Sequence, residues 1–200
     1  MTFLRPLLFL VGMTFFLSVG LSAKPFRTVV IDAGHGGHDK GGQWGLVYEK
    51  HLALDTAVRL ERELKKRGYR TAMTRRSDHF VTLADRVKFC KRYRDPIFIS
   101  VHYNYTWKQH VSGIETFYYS SKSRQLAADV HRGVMQQVST TDRGVKYARY
   151  YVIRRNTCPA ILVEGGFVSN ARERKRMKSA RWRQSIADGI ADGVSRYRRR

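Results

Sequence analysis

Residues 29–39, VVIDAGHGGHD, end an apolar run in an acid and then set His35 and His38 among glycines. A second apolar run, IFISVHYN, ends in His102 and Asn104, and a third, AILVEGGF, ends in Glu164 and two glycines. Imidazoles and carboxylates are ordinary zinc ligands and ordinary proton carriers of hydrolysis. A catalytic zinc site takes about three protein ligands and leaves one position for water, which a separate base must deprotonate. His35, His102 and Glu49 can fill the ligand positions, which leaves Glu164 free for another task. Taken alone, Glu49 reads equally well as a helix N-terminal acid stabilised by the dipole, and His38 competes with His35 for the same turn.

The glycines admit other chemistry. GHGGHD lacks the last glycine of a dinucleotide fingerprint, and no lysine followed by serine or threonine completes a phosphate loop there. Glu164 closes an apolar strand, and a buried carboxylate without a partner is costly, so function is the better account of it. Asp32 and Asn104 are expected to support the histidines or contact substrate, since ligating imidazoles usually pass their other N–H to a carboxylate or carbonyl. His51, His79, His110 and His131 are read as surface residues.

Such side chains must be delivered to one edge by regular elements. RTVVIDAG, YRTAMTR, IFISVHYN, SGIETFYYS and AILVEGGF read as strands. HLALDTAVRLERELKKRG, VTLADRVKFCKRYRD and SRQLAADVHRGVMQQV read as helices, the second capped by Thr82 with Asp85 three residues on. Residues 144–153 read as a loop running into a short strand, two basic helical stretches follow Glu164, and the final YRRR reads as a frayed tail. Alternation of this kind predicts an α/β fold with a mostly parallel, twisted sheet and helices on both faces, whose ligands sit beyond the carboxyl ends of the strands.

The motifs IDAGHGGHDKGG, EKHLALDTAVRLERELKKRGY, TRRSD, SVHYN, GIETFYYS and RGVKYARYYVIRRNTCPAILVEGGFVSN occur in that order over residues 29–170. Together they resemble the zinc-dependent N-acetylmuramoyl-L-alanine amidases of bacterial cell walls. The resemblance implies a three-layer α/β/α sandwich, zinc held by His35, Glu49 and His102, and a water activated by Glu164. It implies peptidoglycan or muropeptides as substrate, cut between the lactyl group of N-acetylmuramic acid and L-alanine. Tyr103 stands where such proteins more often have a small residue, and Gly165 where a bulkier one is common; a reshaped cleft is the expectation. The short spacing from His102 to Glu164 leaves no room for a long inserted helix that would plug the site. A zinc peptidase cutting within the stem peptide and a non-catalytic wall-binding protein are the competing readings.

Composition bounds the setting. The 200 residues are 42% apolar, enough for one sizeable core. Residues 1–23 hold one charge, Arg5, and an apolar run ending in Ser22-Ala23, the layout of a secretory signal peptide, with a membrane anchor as the rival. Residues 24–200 then form a single catalytic domain, exported to a periplasm or cell envelope. The formal net charge of +22 points to anionic envelope polymers or a membrane surface, and export argues against nucleic acid. Cys90 and Cys158 read as two buried thiols rather than a disulfide framework.

Overall fold

Strand β1, Thr28–Ala33, has no exposed residue, and its alternate side chains enter two different cores. The computed structural model describes residues 26–200, so the expected signal segment lies outside the described residues. After β1 come the two-residue strands β2 (Gln43–Trp44) and β3 (Val47–Tyr48), then α1 (Glu49–Lys66) and β4 (Arg70–Met73). Next are α2 (Leu83–Cys90), β5 (Pro96–Asn104), β6 (Ile114–Tyr118), α3 (Ser121–Gln137) and β7 (Asp142–Tyr147). The chain closes with α4 (Tyr151–Arg154), β8 (Ala160–Phe167), α5 (Ala171–Met177) and α6 (Ala180–Arg198).

The main sheet runs β4-β1-β5-β8-β6-β7. Its first four strands are parallel, β6 runs against β8, and β7 is parallel to β6. Val29, Ile31, Ile97, Ile99, Ile161 and Val163 face α1, α3 and α6, whereas Val30, Phe98 and Leu162 face Cys90 of α2 and Ile153 of α4. Helices therefore cover both faces of a mostly parallel sheet, as expected. On the thicker side α3 and α6 approach closely: a Cβ on Gly133 would stand 2.2 Å from the Gly189 carbonyl, so only glycine permits this crossing.

The two-residue period of the strands sets the site. Asp32, Ser100, His102 and Glu164 share parity with Val30, Phe98 and Leu162, and so project toward the α2 side. The register pairs Asp32 with Ser100 and His102 with Glu164, near the carboxyl ends of their strands.

Several expectations are corrected. Residues 144–153 do not run into a strand: β7 ends at Tyr147, and Tyr151–Arg154 form a helical turn. A turn of helix lets the neighbours Val152 and Ile153 enter the same core, which a strand would send to opposite faces. The C-terminus is not frayed, because Arg200 makes a bidentate pair with the buried Asp129 at 2.9 and 3.1 Å, and Arg198 bonds the Phe26 carbonyl. His131 is buried, held by Thr116 at 3.0 Å and Asp142 at 2.7 Å, since α3 turns it toward the sheet; His51, His79 and His110 are exposed. Thr82 caps α2 as expected, accepting from the Asp85 N–H at 3.1 Å. Among the described residues no helix is long and apolar enough to cross a membrane.

Candidate metal and hydrolytic site

The turn after β1 brings together groups that side chains would keep apart. A Cβ on Gly34 would lie 2.4 Å from the His102 ring, and one on Gly41 would lie 2.5 Å from both the His35 ring and Glu49. His35 itself takes φ of 58°, a left-handed conformation uncommon outside glycine and typical of constrained functional positions. Two buried arginines hold this backbone: Arg75 donates to the carbonyls of Ala33, Gly34 and Lys50, and Arg86 to those of Ala33 and His35.

Within that frame His35, Glu49 and His102 converge. Oε1 of Glu49 lies 3.0 Å from Nε2 of His35 and 2.7 Å from Nδ1 of His102, and the two rings meet edge to face at 4.8 Å. Glu49 also accepts the N–H groups of Tyr103 at 3.0 Å and Gly42 at 2.7 Å. Donor atoms of the three residues lie within 4.8 Å of one another, so they could hold a divalent metal. Burial works against ionised Glu49, yet the two imidazoles hold its carboxyl far below the usual range. Burial likewise opposes the charged form of His35, but Glu49 and Asp39 raise it. His38 stays outside this cluster, exposed, with its ring 4.2 Å from that of Phe80.

Glu164 faces the same cleft, of about 530 Å3, as His35, Glu49 and His102. The residue is only 7% exposed, and its Oε2 has no hydrogen-bond partner among the described residues. Burial, with the nearby charges of Glu49 and Glu115, raises its pKa well above the usual range. A buried acid with a free oxygen is equipped to take up a proton. Phe80, Leu83, Tyr105, Tyr150 and Tyr151 also line the cleft, and all but Tyr105 are exposed large apolar or aromatic side chains.

Asp32 and Asn104 line the same cleft, but their hydrogen bonds go to other partners than the imidazoles. Asp32 is wholly buried and accepts from Thr74, Arg86 and Ser100, each at 2.7 Å. Burial would raise its pKa, but the Arg86 charge and these hydrogen bonds hold it low. It therefore supports His35 only through Arg86, which bonds the His35 carbonyl at 2.7 Å. Asn104 donates to Glu115 at 2.9 Å, and Glu115 is in turn paired with Arg143 and Lys146. The acid that meets the His35 ring is Asp39, Oδ2 to Nδ1 at 2.9 Å, which leaves Nε2 to face Glu49. Its spacing of four from His35 inside GHGGHD was the available signal. Tyr103 and Gly165 do not line the cleft. Tyr103 is buried on the α1 side, its hydroxyl 2.7 Å from that of Thr56, with Gly165 against its ring.

A family model described as N-acetylmuramoyl-L-alanine amidase matches residues 29–196. The chain is 35% identical over 182 residues to the uncharacterized protein YqiI of Bacillus subtilis, covering 88% of each. It is 33% identical over 177 residues to the N-acetylmuramoyl-L-alanine amidase LytC of Bacillus subtilis, spanning 86% of this chain but 36% of LytC. Among solved structures, the catalytic domain of CwlV, an N-acetylmuramoyl-L-alanine amidase from Bacillus (Paenibacillus) polymyxa, aligns with a TM-score of 0.83 at 36% identity. That alignment covers 86% of this chain and 98% of the CwlV domain.

Proposed function

The chain belongs to the N-acetylmuramoyl-L-alanine amidase family, and on that premise we propose that it cuts peptidoglycan between the lactyl group of N-acetylmuramic acid and L-alanine of the stem peptide, with zinc held by His35, Glu49 and His102. The observation that carries this reading is the partner-free Oε2 of Glu164, in the same cleft as three donors of the type zinc prefers. Two imidazoles and one carboxylate fit zinc with a position left open. When bound, zinc supplies a Lewis acid that polarises the scissile carbonyl and acidifies water.

The chain's own residues do the rest. Glu164 takes the proton of the attacking water at Oε2 and returns it to the departing alanine nitrogen. Asp39 fixes the tautomer of His35, and the N–H groups of Gly42 and Tyr103 hold Glu49 in place. The exposed side chains of Phe80, Leu83, Tyr150 and Tyr151 in the cleft receive the substrate and limit water around the reacting amide.

The site of action is the cell envelope, reached by export directed by residues 1–23. Exposed Arg172, Lys175, Lys178 and Arg181, on and beside α5, face anionic envelope polymers. Cosedimentation with wall sacculi is expected to weaken as salt is raised toward ~1 M, where the Debye length is about 3 Å; binding indifferent to salt rejects that role.

Digestion of purified muropeptides, with and without a chelator, tests the activity. Release of the intact stem peptide bearing a free L-alanine amine, lost on chelation, is the expected result. Shortened stems still attached to sugar would instead mark a peptidase, and absence of product a binding protein. Glu164→Gln is expected to keep its zinc while turnover falls about 10²–10⁴-fold; full activity would remove Glu164 from the role of base.

A further inference from the structure

Two thiols far apart in sequence meet on the α2 side of the sheet. Cys90 ends α2, and Cys158 lies in the connection from α4 to β8. Their Sγ atoms are 3.3 Å apart although 68 positions separate them. Cys90 is buried, but Cys158 is only partly so, which corrects the expectation of two buried thiols. Both line a cavity of about 480 Å3 together with Lys91, Tyr93, Asn156 and Pro159. The cavity also touches Pro96 and Ile97, the first residues of β5, whereas His102 lies near the far end of that strand. The thiols thus open at the end of the sheet opposite the hydrolytic cleft.

We propose that Cys90 and Cys158 are a redox-active pair that closes to an intramolecular disulfide when a small-molecule or protein disulfide enters this cavity. The Cys158 thiolate attacks one sulfur of the oxidant, whose S–S bond breaks and releases one thiol. Cys90 then gives up its proton and attacks Sγ of Cys158 in the mixed disulfide, releasing the second thiol. Two electrons and two protons pass to the oxidant, and one disulfide is exchanged for another. The sulfurs must approach by about 1.3 Å to reach bonding distance.

The order of attack follows from the surroundings. Cys158 is favoured as thiolate by the S–H of Cys90, against burial and with help from the Lys122 charge; the same contact and burial push Cys90 up. Cys158 is also the more accessible of the two. The bond would tie α2, which brings Leu83 and Arg86 to the hydrolytic cleft, to the segment joining α4 and β8, which bring Tyr151, Val152 and Glu164. Oxidation would thus staple two walls of the cleft from behind, whatever reaction the cleft performs.

The test is peptide mapping of the full chain after oxidised glutathione or after excess dithiothreitol. Without reduction, the tryptic peptides 89–91 and 156–172 are expected joined and lighter by two hydrogens, and separate after dithiothreitol. The oxidised chain is expected to melt about 5–15 °C above the reduced one. Cys90→Ser and Cys158→Ser should each lose the cross-link and the shift, with Cys90→Ala as a second variant if serine impairs folding; the wild-type map needs no variant. Both thiols still open to alkylation after oxidised glutathione would overturn the proposal. So would a glutathione adduct on Cys158 that never resolves, or a cross-link that forms only between two chains.

Discussion

A Cβ placed on Gly165 would stand 2.8 Å from Cε1 of Tyr103, closer than packed carbon atoms allow. The ring of Tyr103 is wholly buried beside Leu52, Val168 and Met177, and it occupies the space a larger residue at 165 would need. The small residue at 165 and the large ring at 103 thus share one space, and each accommodates the other. Gly165→Leu is expected to cost about 1–3 kcal/mol by overpacking, and Tyr103→Ala about 3–5 kcal/mol by opening a cavity. In urea unfolding the double variant should lose at least about 1 kcal/mol less than the sum; strict additivity would show that the positions are independent.

Asp39 meets the ring of His35 but is not one of the three clustered donors. Asp39→Ala frees Nδ1 of His35 and is expected to weaken zinc binding about 10–100-fold, with the melting temperature of the metal-free chain little changed. Competition against a coloured chelator measures the affinity. Unchanged affinity would mean that the Arg75 and Arg86 bonds to the turn are enough to place the ring.

Arg86 and Asp32 form an ion pair almost wholly removed from water, with side chains 3% and 1% exposed. Removing one partner strands the other charge, and Arg86 also serves two carbonyls of the turn. Arg86→Met should therefore destabilise the fold by about 3–5 kcal/mol. Arg86→Met combined with Asp32→Asn should recover part of that loss, because the buried carboxylate is gone. Denaturant unfolding of the parent and these two variants reads this directly.

Asp78 links acid stability to the same turn. Its carboxylate accepts from Lys50 at 2.6 Å and from the Gly37 N–H at 2.8 Å, and the Lys50 bond leads in lowering its pKa from 3.8 to about 2. A depressed folded pKa contributes stability that is present above the unfolded value and is lost as pH falls through the folded one. Asp78→Asn should melt below the parent at pH 7, with the gap closing between about pH 4 and pH 2. A gap that persists at pH 2 would place the effect in packing instead of charge.

How much was legible depended on whether a local pattern or a distant neighbour set each feature. Continuous apolar runs in β1, β5 and β8 mark the buried strands, and a histidine or acid ending such a run stands out against it. Glu49 was ambiguous because a helix N-terminus welcomes an acid for its own reasons; only its approach to His102, 53 residues away, distinguishes it. The sequence does not single out Asp39 over Asp32, since both stand near His35 and nothing local says which carboxylate the turn swings toward the ring. Burial of His131 and anchoring of Arg200 were invisible for the same reason: their partners Thr116, Asp142 and Asp129 are brought to them by the packing of α3, the sheet and the C-terminus.

By itself the sequence determined the layered α/β architecture and the residue types at the strand ends, because hydrophobic periodicity is a local property that burial must obey. It also determined the glycines that make room for the site. Tertiary structure alone decided that Glu49 faces both imidazoles, that Asp39 and not Asp32 meets His35, that Glu164 keeps a free oxygen, and that Cys90 lies within reach of Cys158. Those relations depend on strand order, register and helix placement, which arise from contacts between segments many residues apart and leave no periodic trace in the chain.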